Sequence, residues 1–503
     1  MLTHLQALSS APFAMALFLG GLGLVVSLAI VPLIITRLAP LVAHLRHKQL
    51  HQTHTVAVPR LGGIALAVAF VVILAITFFF KDFQPGGTRI VLALSSLAMF
   101  GLGLWDDIVP LGARKKLLWQ ILISLAAFSF GLRIEEVKNP LTGDIYSLGP
   151  WACAATVFWL IAMTNLINLI DGIDGLATGI CLMLMCLLVY VSFGSQHFAL
   201  CIATGMAGAL IGFLRFNFPP ARIYLGDGGA YFLGYLIGAL TIQSSNKGTV
   251  AAALIAPIFA LALPILDVAF SIFRRGIKGL PIFRPDRRHI HHRLLQRGFS
   301  RRGAVLTLYG VSLVFLALSF VAFWSGGKLT PILVGCGFVV VLVAFPSLGL
   351  IKNWLTVGTA VGNSLEMRKE IQYALLFRSL MEMEAERSRS LPALWNDFRF
   401  TAEKMGFNRA VLTHHGARCS WSSDYVPASL HKARHELQIA GETVFLDLFA
   451  HKDRNEELFK LQSELAAEMW QHAMRRWTER NASPVRLPDD VQEPLSIPDT
   501  VRA

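Results

Sequence analysis

From about residue 12 to about 350 the chain alternates between long apolar runs and short polar breaks, and then the alternation stops. Crossing the hydrocarbon core of a bilayer, about 30 Å, takes roughly 20 helical residues. Eleven runs approach or exceed that length, at approximately 12–36, 61–80, 89–105, 117–133, 151–168, 175–193, 197–214, 229–243, 250–272, 304–324 and 329–350. The pattern predicts an all-α polytopic membrane protein with about 11 transmembrane helices. Asp106 and Asp171 each close one run and open the next break. The first run, between Pro12 and Pro32, follows no basic segment and reads as a retained helix rather than a cleaved signal.

The polar breaks differ in charge. Those at 37–60, 106–116, 215–227 and 273–303 hold nineteen Lys and Arg, whereas 81–88, 134–150, 194–196, 244–249 and 325–328 hold only a handful. Basic loops stay in the cytosol, so the N-terminus is expected outside and the C-terminus in the cytosol. Segment 134–150, with Asn139-Pro140 and Thr142-Gly143-Asp144, reads as a turn-rich external hairpin. No internal repeat of the transporter kind is visible.

From about Lys352 the pattern becomes that of a soluble domain. Helical stretches are expected at Ser364–Ala393, Trp395–Lys404 and Glu456–Thr478, with strands at Ala410–Thr413, Glu436–Ile439 and Val444–Phe449. The chain thus reads as a membrane domain over 1–351 and a small cytosolic α/β domain over 352–480. The remainder, 481–503, is a Pro-rich tail with the composition of a disordered segment.

Composition agrees with the pattern. Hydrophobic residues make up 54% and charged residues 15% of the 503, against about a quarter charged in soluble domains. The net charge is +13, but the basic residues border the spans instead of forming a stripe with interleaved aromatics, so nucleic acid is not an expected partner. Cys153, Cys181, Cys186, Cys201, Cys336 and Cys419 contain no CxxC pair. They read as small buried hydrophobes, not as a disulfide framework or a zinc site.

The polar clusters lie on one expected side, the cytosolic one. Charge at the edge of the hydrocarbon costs a few kcal/mol and commonly marks function. Asp106-Asp107 place two carboxylates side by side, with Arg114, Lys115 and Lys116 close behind to offset them or bind phosphate; an ordinary charged interfacial loop has the same look. In Asn165-Leu-Ile-Asn168-Leu-Ile-Asp171-Gly-Ile-Asp174-Gly175, a helix would put Asn165, Asn168 and Asp171 on one face. Such a face suits a base and ribose, a hydrated metal, or a polar seam between helices. Phe216-Asn217-Phe218 leads to Tyr224-Leu-Gly226-Asp227-Gly228-Gly229, where one carboxylate among glycines suits Mg²⁺ on a diphosphate, or a plain turn. Arg284-Pro-Asp-Arg287-Arg288-His289-Ile-His291-His292-Arg293 favours pyrophosphate over zinc, since no cysteine lies nearby. Asp267 is read equally as half of a structural ion pair or as a site residue.

In this order, the clusters resemble the polyprenyl-phosphate N-acetylhexosamine-1-phosphate transferase family over about residues 12–350. Pro59-Arg60-Leu-Gly62-Gly63 matches that family's first cytosolic loop, Asp106-Asp107 its aspartate pair, and Lys116 and Gln120 the basic segment after it. Asn168, Asp171 and Asp174 match the stretch around the nucleotide, Asn217 the Phe-Asn motif, and Asp227 the magnesium-binding Gly-Asp. His289-Ile-His291-His292 matches the N-acetylglucosamine branch, not the three histidines and glutamate of the phospho-N-acetylmuramoyl-pentapeptide branch. There are departures: Leu45–Gln49 lacks the common Asp-x-Pro, Ala230 replaces a common serine, and ordinary members have no C-terminal domain.

The resemblance implies transfer of an N-acetylhexosamine-1-phosphate, GlcNAc-1-phosphate first, from a UDP-sugar to undecaprenyl phosphate with release of UMP. It implies Asp106, Asp107 and Asp227 as catalytic residues, and Mg²⁺ (or Mn²⁺) on Asp227 and Asp171. Lys116, Asn168, Asp171, Asp174, Asn217, Arg288, His289, His291 and His292 are implied to bind substrate. The setting is a bacterial inner membrane, with membrane lipid around the chain and a homodimer as a compatible assembly. The competing readings are the pentapeptide-type transferase, a secondary transporter, and a membrane anchor for the C-terminal domain. A transporter would place its ionisable residues near the midplane, whereas these lie at helix ends.

Overall fold

The computed structural model of the protein describes residues 12–40, 58–79, 86–138, 144–193, 197–244, parts of 257–272, 294–325, 329–347, 357–414, 417–423, 429–439 and 442–481. They divide into two compact units, one drawn from Met1–Ser271 and Pro285–Asn353, the other from Ile272–Arg284 and Trp354–Ala503.

The first unit is helical. Helix α1, Pro12–Leu33, continues into a π-helical turn, Ile34–Leu38. It is followed by α2 (Gly62–Phe79), α3 (Gly87–Ile108), α4 (Ala113–Ser129), α5 (Ala152–Ile170), α6 (Leu176–Ser192), α7 (His197–Asn217), α8 (Gly226–Ser244), α9 (Arg301–Trp324) and α10 (Thr330–Ser347). Among the described residues six stretches are long and apolar enough to cross a membrane: Phe13–Leu38, Gly62–Phe79, Gly87–Ile108, Gly149–Ile170, His197–Asn217 and Arg301–Ala322. Leu176–Ser192 and Thr330–Val340 are apolar but shorter.

The expected spans 117–133 and 229–243 fall on α4 and α8, which have different reasons for being less apolar. Helix α4 carries Arg114, Lys115 and Lys116 at its start. Helix α8 is the centre of the unit: every residue except Asp227 and Gln243 is buried, against α2, α3, α5, α6 and α7. A helix enclosed by other helices is not required to present a lipid-like surface, and small residues let its neighbours approach. The expected span 250–272 is described only in part.

Small residues also set the crossing of α1 on α7, where a Cβ on Gly208 would run into the carbonyl of Gly20. Strands β1 (Glu136–Lys138) and β2 (Ile145–Ser147) pair antiparallel within the expected 134–150 hairpin. Its connecting residues, 139–143, lie outside the described residues.

The second unit packs three helices with a four-stranded antiparallel sheet. Helices α11 (Val357–Arg387) and α12 (Leu391–Lys404) precede β3 (Arg409–His414), β4 (Ala417–Ser422), β5 (Leu430–Ile439) and β6 (Glu442–His451), and α13 (Glu456–Asn481) closes the order. The strand order is β4-β3-β6-β5. The stretch expected as one helix to Ala393 breaks instead after Arg387. Ser390 Oγ accepts from Ala393 N at 3.4 Å, with proline in the first turn, so a new helix starts there. Strand β4 has no counterpart among the expected strands, and β5 begins at Leu430 rather than Glu436. Both alternate charged and small polar residues outward, which hides the apolar half of the pattern. The tail expected to be disordered lies outside the described residues from 482 onward. All six cysteines are free.

The core of this unit is aromatic. Trp470 is fully buried, with Trp395 edge-on at 5.3 Å and Phe398 at 4.9 Å between ring centroids. Trp470→Ala should cost about 3–5 kcal/mol. Limited trypsin digestion of the full chain is then expected to cut within 388–481 well before the membrane unit is cut. Unchanged resistance there would show that this ring cluster does not hold the core.

Candidate active site

The site is built where helices end. Helix α3 stays apolar to Trp105, reaches Asp106-Asp107, and stops before Pro110, with Val109 extended as the residue preceding a proline prefers. Asp106 Oδ1 accepts the Leu111 amide at 2.6 Å, which fixes the turn. Asp107 points to a different helix. Its Oδ1 and Oδ2 accept the amides of Asp227 and Gly228, in the first turn of α8, at 3.1 and 2.9 Å. A helix start carries unpaired N–H groups and a partial positive charge, so a buried carboxylate there is well matched. The fit requires glycine. Gly226 has φ +76°, and a Cβ on it would lie 2.6 Å from the Arg60 carbonyl and 2.7 Å from Asp107 Oδ2. A Cβ on Gly103 would lie 2.6 Å from the Asp227 carbonyl carbon.

A second strap joins two distant motifs. Tyr224 N donates to Pro59 O, Gly62 N to Tyr224 O and Gly63 N to Leu225 O, each at 2.9 Å. The start of α2 is thereby satisfied by the loop that leads into α8, and Arg60 is carried to the same place as Asp227.

Helix α5 supplies the third wall and departs from the sequence-based expectation. Asn165 and Asn168 are helical, but α5 ends at Ile170 and Asp171 sits in the capping turn at φ −73°, ψ 39°. The helix thus ends one residue before Asp171, where the Gly172–Gly175 stretch, with Gly175 at φ +79°, follows, and Asn168 and Asp171 still line one cavity. Asn165 joins helices: its Nδ2 donates to Gln120 Oε1 at 2.7 Å and to Ile161 O at 2.9 Å. Asn217 is buried, and both ends of its amide are engaged. It accepts from Thr178 Oγ1 at 2.6 Å and donates to Ile223 O at 2.8 Å, holding the loop between α7 and α8. Asp174 Oδ2 accepts the Ala221 amide at 3.0 Å, and Arg301 Nη1 stands 3.9 Å away. Arg302 Nε donates to Pro219 O at 2.7 Å and Tyr309 to Gly175 O at 2.5 Å, so the start of α9 braces both loops.

These elements enclose a cavity of about 460 Å³. Asn168, Asp171, Asp174, Asn217 and Asp227 line it, together with Arg60, Tyr224 and Arg301, to which the sequence reading assigns no role. Arg60 sits inside a quoted motif, and Arg301 follows the histidine run by nine positions, so only chain proximity hinted at them. Asp106, Asp107 and Lys116 are absent from the lining. Lys116 Nζ pairs with Asp106 Oδ2 and stands 3.3 Å from Asp227 Oδ2. Asp267 is on a described helical stretch away from the lining. Arg288, His289, His291 and His292 lie outside the described residues.

The electrostatics are those of crowded carboxylates. Desolvation, joined by the charges of Asp227 and Asp107, pushes the Asp171 carboxyl well above the usual carboxylate range, with Arg60 acting in the other direction. Such a group gains from an added cation. Among the described residues no three His, Cys, Asp or Glu side chains converge as a ready metal cage. Asp227 and Asp171 both line the cavity, however, and Mg²⁺ commonly takes one or two carboxylates and completes its shell with phosphate oxygens and water. The donors are hard oxygens, which fit Mg²⁺ or Mn²⁺.

Residues 89–245, which span α3 to α8, match the pattern of glycosyl transferase family 4. The chain is 33% identical over 284 residues to the probable undecaprenyl-phosphate N-acetylglucosaminyl 1-phosphate transferase of Bacillus subtilis, covering 56% of this chain and 78% of that protein. It is 30% identical over 330 residues to the decaprenyl-phosphate N-acetylglucosaminephosphotransferase of Mycolicibacterium smegmatis, covering 60% and 80%. It is also 30% identical over 278 residues to the phospho-N-acetylmuramoyl-pentapeptide-transferase of Clostridium kluyveri, covering 52% and 84%. Shared sequence over most of each relative, with the cavity assembled from the segments that carry the motifs, gives one answer: the chain belongs to glycosyl transferase family 4, the family of polyprenyl-phosphate sugar-1-phosphate transferases.

Proposed function

We propose that this protein transfers an N-acetylhexosamine-1-phosphate, GlcNAc-1-phosphate first, from its UDP-sugar to undecaprenyl phosphate, releasing UMP. The reaction would open a cell-surface glycan pathway on the cytosolic face of a bacterial inner membrane. The carrying observation is the cavity in which Asp171, Asp174 and Asp227 meet Arg60 and Arg301. A nucleoside diphosphate-sugar brings charge that such a mixed site can both hold and release. The nineteen Lys and Arg in alternate breaks support the cytosolic placement.

The acceptor phosphate attacks the β-phosphorus in line, and phosphoryl transfer asks the protein mainly for positioning and charge neutralisation. Bound Mg²⁺, held by Asp227 and Asp171, would supply charge neutralisation on the diphosphate and the departing UMP. Asn168 and the backbone of Gly172 offer hydrogen bonds to the nucleotide end, while Asn217 and Asp174 keep the cavity's walls in place. Arg60 and Arg301 face the diphosphate, and Arg288, His289, His291 and His292 add donors from the preceding loop. Asp106 orients the acceptor. Base catalysis there is of small use, since a phosphate with a second pKa of about 6 is already largely dianionic.

Incubating the purified protein with undecaprenyl phosphate, Mg²⁺ and a panel of UDP-sugars tests the reading. UMP release with UDP-GlcNAc is expected. Turnover of UDP-N-acetylmuramoyl-pentapeptide instead would favour the pentapeptide branch, and no release with any donor would refute the transferase. Asp227→Asn should lower turnover by about 10²-fold or more while leaving the protein folded, and so should His291→Ala. Near-normal rates would remove those residues from the mechanism. Asp107→Asn weakens the α8 cap at a cost of about 0.5–2 kcal/mol, so a lower melting temperature in detergent is expected; an unchanged one would contradict the capping role.

A further inference from the structure

Lys116 holds the position that a divalent cation would want. Its ammonium touches Asp106 Oδ2 and lies 3.3 Å from Asp227 Oδ2. Of the neighbouring oxygens, Asp106 Oδ1 accepts the Leu111 amide, and both oxygens of Asp107 accept amides in the first turn of α8. Asp106 Oδ2 and Asp227 Oδ2 thus share the single ammonium of Lys116. Lys116 is a flexible side chain about a quarter exposed, on the first turn of α4, and Asp227 is about a third exposed beside the cavity. Ions exchanging here would have a path that requires no unfolding.

We infer that Lys116 is an exchangeable counter-ion. Its ammonium neutralises Asp106 and Asp227 until a divalent cation binds Asp227, and is then displaced into the site, free to pair with the phosphate of the acceptor. No covalent bond changes: a monovalent charge leaves two carboxylate oxygens, a divalent one arrives, and the released ammonium meets an incoming dianion. Lysine suits this better than arginine, being a compact point charge on a flexible stem without a bidentate grip. The inference rests on the metal reading of Asp227 above, and makes metal binding precede productive binding of the acceptor.

The test reads Lys116 itself, without turnover. The full chain in detergent is treated with an amine-acylating reagent with and without saturating Mg²⁺, and Lys116 and Lys115 are quantified by mass spectrometry. Acylation of Lys116 is expected to rise severalfold with Mg²⁺ while the exposed Lys115 stays constant, and Asp227→Asn should remove the rise. In parallel, Mn²⁺ binding is followed by electron paramagnetic resonance. Lys116→Met should bind Mn²⁺ about tenfold or more tighter than the parent, and Lys116→Arg should not. If Mn²⁺ binds the parent but Lys116 reactivity stays flat or falls, the exchange is refuted and the metal reading stands. If Mn²⁺ binds no form of the protein, the metal reading falls and takes the exchange with it.

Discussion

One buried carboxylate decides where the rest of the site sits. Asp107, at the end of α3, places both oxygens on two amides in the first turn of α8, those of Asp227 and Gly228. Burying a lone carboxylate is expensive, and here the cost is offset by two charge-assisted hydrogen bonds and the positive end of a helix. The contact works only because glycines at 103 and 226 let backbone and carboxylate come this close. With this contact made, Asp227 is held in the lining of the cavity, and the neighbouring Asp106 pairs with Lys116.

The two members of the aspartate pair therefore do different work. One accepts two amides in the first turn of α8; the other pairs with Lys116, which also stands beside Asp227. The same division runs through the other motifs. Asn217 and Asp174 hold loops by hydrogen bonds to Thr178, Ile223 and Ala221, whereas burial, with Asp227 and Asp107 nearby, holds the Asp171 carboxyl above the usual carboxylate range.

Much of the fold was legible because lipid imposes a simple rule on sequence: apolar runs of the right length become helices. That rule says nothing about a helix hidden from lipid, and α8 is the example, its glycines and polar residues reflecting close packing against five neighbours. Motif order pointed to the right segments, and five of the expected residues line one cavity. What each residue does there depends on contacts across more than a hundred positions, such as Asp107 with Asp227, that no local spacing encodes. Periodicity put Asp171 on a helix face, but glycines end the helix one residue earlier. Arg60 and Arg301 carry no local signal beyond their charge and reach the cavity through the strap to Tyr224 and the start of α9. In the soluble unit, β4 and the first half of β5 were hidden by charged residues on the open face of the sheet.

Segments far apart in the chain, from Arg60 to Arg301, meet in one cavity. Single cysteines at Ile173, Tyr224 and Leu295, all in the cavity lining, in an otherwise cysteine-free chain, can be probed with an impermeant maleimide in inverted and right-side-out vesicles. All three are expected to react only in inverted vesicles, and UDP-GlcNAc with Mg²⁺ is expected to slow the reaction at each. Labelling from opposite faces would contradict it, because no single cavity could then contain them.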